Sequence, residues 1–271
     1  MVLTLDIGNT QISGGVFLGD DLILQFRHTT AHYTSSDELG VFMRSVFREN
    51  GLDSKNVTDI VCCSVVPSLN YPLTSACIKY FDIEPLLIRP GIATGLELKY
   101  ANPKEIGADR IAAAIGAASY YKNANIIIVD MGTATTVDIL TARREFLGGV
   151  IMAGVNMSMQ ALSQGTAQLP NVEIALPARA CGTSTAEAIQ SGLYYGALGG
   201  IKELIAAYTR EVFGGRKPMV IGTGGFSHLF QDEDIFNVII PSLIFDGLYQ
   251  ALKMNKKSRD YEESSNECKG N

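Results

Sequence analysis

The chain carries one short theme twice. Val2-Leu3-Thr4-Leu5 runs into Asp6-Ile7-Gly8-Asn9, and 124 residues further on Ile126-Ile127-Ile128-Val129 runs into Asp130-Met131-Gly132-Thr133. Each copy continues into strand patterns: Ile12 to Leu18 and Leu22 to Phe26 after the first, Thr135 to Leu140 and Phe146 to Met152 after the second. An apolar strand, an Asp-x-Gly turn and a second strand, repeated at nearly half the chain length, point to duplication of a whole αβ subdomain and not to a short tandem repeat. Strands alternating with helical patterns then predict two α/β halves.

Between the copies, Gly19-Asp20-Asp21 is turn chemistry, and Ser35-Ser36-Asp37-Glu38 matches a capping box ahead of Leu39, Phe42, Met43, Val46 and Phe47 at helical spacing. Val57 to Val66 reads as a buried strand, Leu69 to Tyr80 as a helix, Pro85 to Ile88 as a short strand and Gly91 to Pro103 as irregular. A small-residue helix is expected from Gly107 to about Tyr121. Helical patterns dominate Ser184 to Phe213, and Pro218 to Ile221 is another strand. The halves are expected at residues 1–115 and 116–254, with the last element ending near Met254 and 255–271 forming a frayed tail.

At 271 residues, against a prior of roughly 150 residues per domain, the length suits one large domain or two small ones. Hydrophobic residues make up 46% and charged residues 18%, which supplies a core and excludes disorder over most of the length. Twenty-two Lys and Arg against 28 Asp and Glu leave a net charge of −6 with no basic block, so neither a nucleic acid nor an anionic membrane is an expected partner. No apolar run approaches the roughly 18 residues that span a bilayer. Met1 to Asp6 lacks a charged leader region, and no secretory signal is expected. The five cysteines form no CxxC pair; Cys62 and Cys63 read as small buried thiols, and His28, His32 and His228 make no metal cluster with them. A reduced, cytoplasmic protein without structural zinc is expected.

The Asp-x-Gly turn has a chemical logic. A carboxylate at the end of a buried strand can hold a hydrated cation, glycine permits the tight turn, and the following Asn or Thr can hydrogen-bond phosphate oxygens. Alone, Asp6-Ile7-Gly8-Asn9-Thr10 is also ordinary hairpin chemistry; two such turns facing each other would clamp a polyphosphate. Gly222-Thr223-Gly224-Gly225 is either a plain turn or a wall for a nucleotide, and it lacks the dinucleotide fingerprint. In Gly107-Ala108-Asp109-Arg110, Asp109 is either a first-turn acid on the helix dipole or a base for a substrate hydroxyl. Arg110 is either solvated or paired with a substrate anion. Thr183-Ser184-Thr185 is either a helix N-cap or a hydroxyl contact to substrate.

Together and in this order, Asp6-Ile7-Gly8-Asn9-Thr10, Gly107-Ala108-Asp109-Arg110, Asp130-Met131-Gly132-Thr133-Ala134, Gly182-Thr183-Ser184-Thr185 with Gln190-Ser191-Gly192, and Gly222-Thr223-Gly224-Gly225 resemble the type III pantothenate kinases. Those kinases are a branch of the acetate and sugar kinase/actin superfold, and the resemblance covers about residues 1–254. It implies duplicated actin/ribonuclease H-like α/β subdomains with the nucleotide cleft between them. It also implies transfer of the ATP γ-phosphoryl group to the primary hydroxyl of pantothenate, the first step of coenzyme A synthesis. By the family pattern, Asp6, Ile7, Gly8, Asn9, Thr10, Gln11, Ile12, Ser13 and Thr133 take the ATP phosphates. Tyr100, Gly107, Ala108, Asp109, Arg110 and Thr185 take pantothenate, with Asp109 as proton acceptor. The resemblance further implies that Asp130 holds potassium or ammonium, that magnesium travels with ATP, and that the enzyme is a homodimer. Gln11 and Cys181-Gly182-Thr183-Ser184 depart from the usual family residues. The competing expectations are another small-molecule kinase of the same superfold, or a nucleotide-binding transcriptional accessory factor.

Overall fold

The structure, a computed structural model, describes the backbone of residues 1–31 and 33–267 and the side chains through residue 256. His32 and Cys268 lie outside the described residues, as do the last three positions of the expected tail. The chain divides into two compact units.

The first unit comprises Met1–Leu96, Ala101–Tyr120 and the chain from Leu243 onward. Its sheet contains β1 (Val2–Ile7), β2 (Gln11–Leu18), β3 (Asp21–Thr29), β4 (Asp59–Ser64) and β5 (Leu86–Leu87), in the order β3-β2-β1-β4-β5. β1 and β2 form an antiparallel hairpin, while β4 runs parallel to β1 with Asp6 opposite Cys63. Alternation sends Leu3, Leu5, Ile7 and Cys62 to one face, where they pack with Leu39, Met43 and Phe47 of α1 (Ser36–Glu49) and with Leu69, Leu73 and Cys77 of α2 (Pro67–Phe81). The capping box opens α1 as the sequence implies: Glu38 N–H donates to Ser35 Oγ at 3.1 Å, and Ser35 N–H donates to Glu38 Oε2 at 2.7 Å.

The same unit holds α3 (Ala108–Tyr120) and the last helix, α6 (Leu243–Glu267). Small residues along Ala112-Ala113-Ala114 let these two helices meet backbone to backbone. A β-carbon on Gly247 would collide with the Ala112 carbonyl oxygen, and one on Gly116 with that of Leu243. This helix departs from the expected tail, because it runs well past Met254. Its Asn255 amide bridges Ala93, accepting from that residue's N–H at 3.0 Å and donating to its carbonyl at 2.9 Å, and Lys256 pairs with Asp59 at 2.6 Å. Polar composition alone hid these tethers.

The second unit comprises Glu97–Tyr100 and Tyr121–Ser242. Its sheet has β6 (Glu97–Leu98), β7 (Ile126–Met131), β8 (Ala134–Leu140), β9 (Glu145–Ala153), β10 (Met219–Thr223) and β11 (Val238–Ile239), ordered β11-β10-β7-β8-β9-β6. Reading β7, β8, β9, β10 and β11 as second copies of β1 to β5 reproduces the first sheet's order, with the same antiparallel hairpin and the same parallel pairing of its first and fourth strands. The duplication is therefore topological. Two features escape the sequence reading. A short strand, β6, lies in the stretch expected to be irregular and pairs with β9, and α4 (Val155–Gln164) follows Gly154. α5 (Thr185–Glu211) supplies Ile189, Leu193, Leu198 and Ile201 to the core. The unit boundary falls after Tyr120, and α6 returns to the first unit, which differs from a division at 115 and 254. No helix among the described residues is long and apolar enough to cross a membrane.

Candidate active site

In the first unit the strand β1 delivers Asp6 to the start of its turn. The turn is closed by Gly8 N–H donating to the Gln11 carbonyl at 3.0 Å, and Thr30, just past β3, braces it by donating its hydroxyl to the Gly8 carbonyl at 2.7 Å. Asn9, Thr10 and Gln11 are exposed, while Ile7 and Ile12 are core residues that anchor the two ends. Cys63, fully buried on β4, donates its thiol to Asp6 Oδ1 at 3.3 Å. Asp109 starts α3 and comes within electrostatic reach of Asp6. Burial first, then the Asp109 charge, pushes Asp6 up to about 7, with the thiol hydrogen bond acting in the opposite sense. The structure thus brings two sequence-distant carboxylates, Asp6 and Asp109, into one acidic corner.

Asp109 is held at the head of its helix, where Oδ1 accepts the Arg110 N–H at 2.8 Å. This contact fixes the rotation of the carboxylate and uses one of the unsatisfied N–H groups of the first turn. Arg110 is buried, with 7% of its surface exposed, which excludes the reading of a solvated charge. A guanidinium so enclosed requires anionic or hydrogen-bonding partners to offset its loss of water.

In the second unit Asp130 is the penultimate residue of β7, opposite Thr136 on β8 and Thr223 on β10. Its turn is one residue tighter than the first: Met131 pairs with Thr135, whereas Ile7 pairs with Ile12. The glycine cluster is not a detached turn. Gly224, at φ +83°, nestles against Asp130 so closely that a β-carbon would run into Asp130 Oδ1 and the Met131 backbone, and Phe226 N–H donates to the Met131 carbonyl at 3.0 Å. The Asp130 carboxylate is thus packed directly against the Gly224 backbone near the end of β7. No group of three His, Cys, Asp or Glu able to hold a metal occurs among the described residues.

Ser13, Gly107 and Ala108 belong to the first unit, whereas Thr133, Tyr100 and Thr185 are spread over the second. Thr133 is exposed in its turn, its carbonyl accepting from Gly154 N–H at 3.2 Å. Tyr100 is half-buried just past β6, against Gly148 of β9. Thr185 is exposed at the first turn of α5; the capping work there falls to Ser184, which accepts from Glu187 N–H at 3.3 Å, and to Thr183, which donates its hydroxyl to Glu187 Oε2 at 2.9 Å. The sequence reading missed Cys63 as a neighbour of Asp6. The signal lay in two buried runs able to pair in parallel, but nothing in one sequence sets their register.

Two α/β units of one strand order, each with an aspartate at the same strand end, define the acetate and sugar kinase/actin fold class. Solved structures agree. A protein described as a Baf family transcriptional activator from Campylobacter jejuni matches with a TM-score of 0.60 at 21% identity, over 94% of this chain and 99% of that one. A protein described as a 2-dehydro-3-deoxygalactonokinase from Sinorhizobium meliloti matches with a TM-score of 0.58 at 13% identity, over 93% and 96%. At these identities the likeness is one of fold. The sequence profile of type III pantothenate kinase matches residues 2–207, and a type III pantothenate kinase of Legionella pneumophila (strain Corby) is 48% identical over 255 residues, 94% of this chain and 99% of that protein. The chain belongs to the type III pantothenate kinase family.

Proposed function

We propose that this protein phosphorylates the primary hydroxyl of pantothenate with ATP, giving 4'-phosphopantothenate for coenzyme A synthesis. The observation that carries this reading, beyond family membership, is Asp109 locked at a helix start beside Asp6, with buried Arg110 next in sequence. Phosphoryl transfer asks for alignment and charge neutralisation more than for covalent help from the protein. The pantothenate hydroxyl oxygen bonds to the γ-phosphorus as the bond to the β-phosphate oxygen breaks. Asp109 accepts the hydroxyl proton, and ADP leaves. Arg110 suits the substrate carboxylate because its planar fork meets two oxygens at once. Tyr100, Gly107, Ala108 and Thr185 complete the pantothenate contacts in this reading.

Residues Asp6 to Ser13 and Thr133 receive the ATP phosphates, offering backbone N–H groups and short polar side chains. Magnesium arriving with ATP supplies the positive charge there. Asp130 holds potassium or ammonium, and the Gly224 cradle favours that assignment. We further propose a cytoplasmic homodimer with no nucleic-acid or membrane partner, in keeping with the net charge of −6. The decisive assay couples ADP release to a readout, with and without pantothenate, in potassium and in sodium buffers. Pantothenate-dependent turnover that weakens in sodium is expected. Turnover with a different acid or sugar from a substrate panel, and none with pantothenate, overturns the reading.

A further inference from the structure

The adjacent thiols Cys62 and Cys63 serve opposite faces of the first sheet. Cys62 joins the apolar core with Leu3 and Leu5, whereas Cys63 leaves that face and meets Asp6, its parallel-strand partner in register. Its Sγ lies 3.3 Å from Asp6 Oδ1, and Oδ2 accepts no hydrogen bond among the described residues. We propose that Cys63 is a positioning residue for phosphoryl transfer: its S–H donates to Asp6 Oδ1 and sets the rotation of the carboxylate that meets the ATP phosphates. The inference rests on the placement of Asp6 at those phosphates in the proposed function.

The environment suits this task. Cys63 is wholly buried, and burial together with the Asp6 and Asp109 charges drives its thiol well above the usual range, so the proton stays on sulfur as a donor. β4 holds the donor rigidly, since Asp6 and Cys63 sit side by side on paired strands. A carboxylate free to rotate would sample several orientations, and a misplacement of about 1 Å near reacting groups can lower rate by roughly a hundredfold.

The experiment compares steady-state kinetics and melting of the parent, Cys63→Ala, Cys63→Ser and Asp6→Asn. Loss of a weak donor to a charged acceptor predicts a fall of roughly 5- to 20-fold in kcat/KM for ATP in Cys63→Ala. The KM for pantothenate should hold. Cys63→Ser, which keeps a donor, should return to within about threefold of the parent. Parent-like ATP kinetics in Cys63→Ala, or equal impairment in Cys63→Ser, overturns the proposal. Asp6→Asn separates the two layers. If it leaves ATP kinetics intact, the placement of Asp6 at the phosphates fails; if it is impaired while Cys63→Ala is normal, only the role of Cys63 fails. Should Cys63→Ala not fold, infrared spectra decide. The S–H stretching band that vanishes in Cys63→Ser should move to higher frequency in Asp6→Ala, and a band that stays in place overturns the hydrogen bond.

Discussion

Tyr100 rests on Gly148: a β-carbon at that glycine would come within 2.6 Å of Tyr100 Cε2, and the Gly148 backbone has φ +93°, a conformation that side chains disfavour. Gly148→Ala therefore both strains β9 and displaces the ring. With Tyr100 on pantothenate, the variant should raise the pantothenate KM about 5- to 50-fold, the equivalent of roughly 1–2 kcal/mol, and leave the ATP KM near the parent value. Unchanged pantothenate kinetics would remove Tyr100 from the substrate site.

Asp109→Asn keeps the shape of the carboxylate and loses its basicity. A fall of about 10²–10⁴ in kcat is expected, with ATP binding by calorimetry preserved. Near-normal turnover would end the assignment of Asp109 as proton acceptor. Arg110→Lys should act on the pantothenate KM instead, since an ammonium cannot copy the planar fork.

Asp6 imposes a pH dependence on stability. Its folded value of about 7 lies above the 3.8 of the free group, so between those values the folded chain holds a proton that the unfolded chain lacks. Stability of the ligand-free protein should fall as pH rises through that window and then level off. Ligand-free Asp6→Asn should lack this decline and melt above the parent at about pH 8, while differing little at about pH 4. Parallel melting curves for the two proteins across the range would contradict the shift.

Gly224→Ala pushes a methyl group into Asp130 and forces a side chain into positive φ. Potassium activation should weaken in this variant, as it should in Asp130→Asn, and both are read from turnover against potassium concentration. A parent enzyme indifferent to exchange of sodium for potassium would refute the cation assignment at Asp130.

Gly247→Ala inserts a methyl where two helix backbones touch. Overpacking of this kind costs roughly 1–3 kcal/mol, so the melting temperature should drop by several degrees without a change in either KM.

The strands were legible in the sequence because their apolar runs are flanked by turn residues, and the duplication was legible because both acidic turns kept the same spacing from their strands. α1 was legible through Ser35 and Glu38. What stayed hidden is non-local. The strand β6 exists only because Glu97 and Leu98 find β9, and its two residues carry no pattern of their own. The continuation of α6 beyond Met254 depends on Asn255 reaching Ala93 and Lys256 reaching Asp59. Residue types pointed to Asp6 and Asp109 in the first unit and to Asp130 in the second, but the contacts of Cys63 with Asp6 and of Gly224 with Asp130 follow from strand register, which one sequence does not encode locally.

The helix α6 has a consequence for biosynthesis. Because it closes against α3, the second unit is, in connectivity, an insertion within the first. A nascent chain emerging from the ribosome completes its middle portion while its opening portion still lacks a wall, leaving the alanine face of α3 uncovered until the final helix is translated. Packing of α3, the helix that carries Asp109, is thus completed only at the end of synthesis, when Leu243 and the residues after it become available.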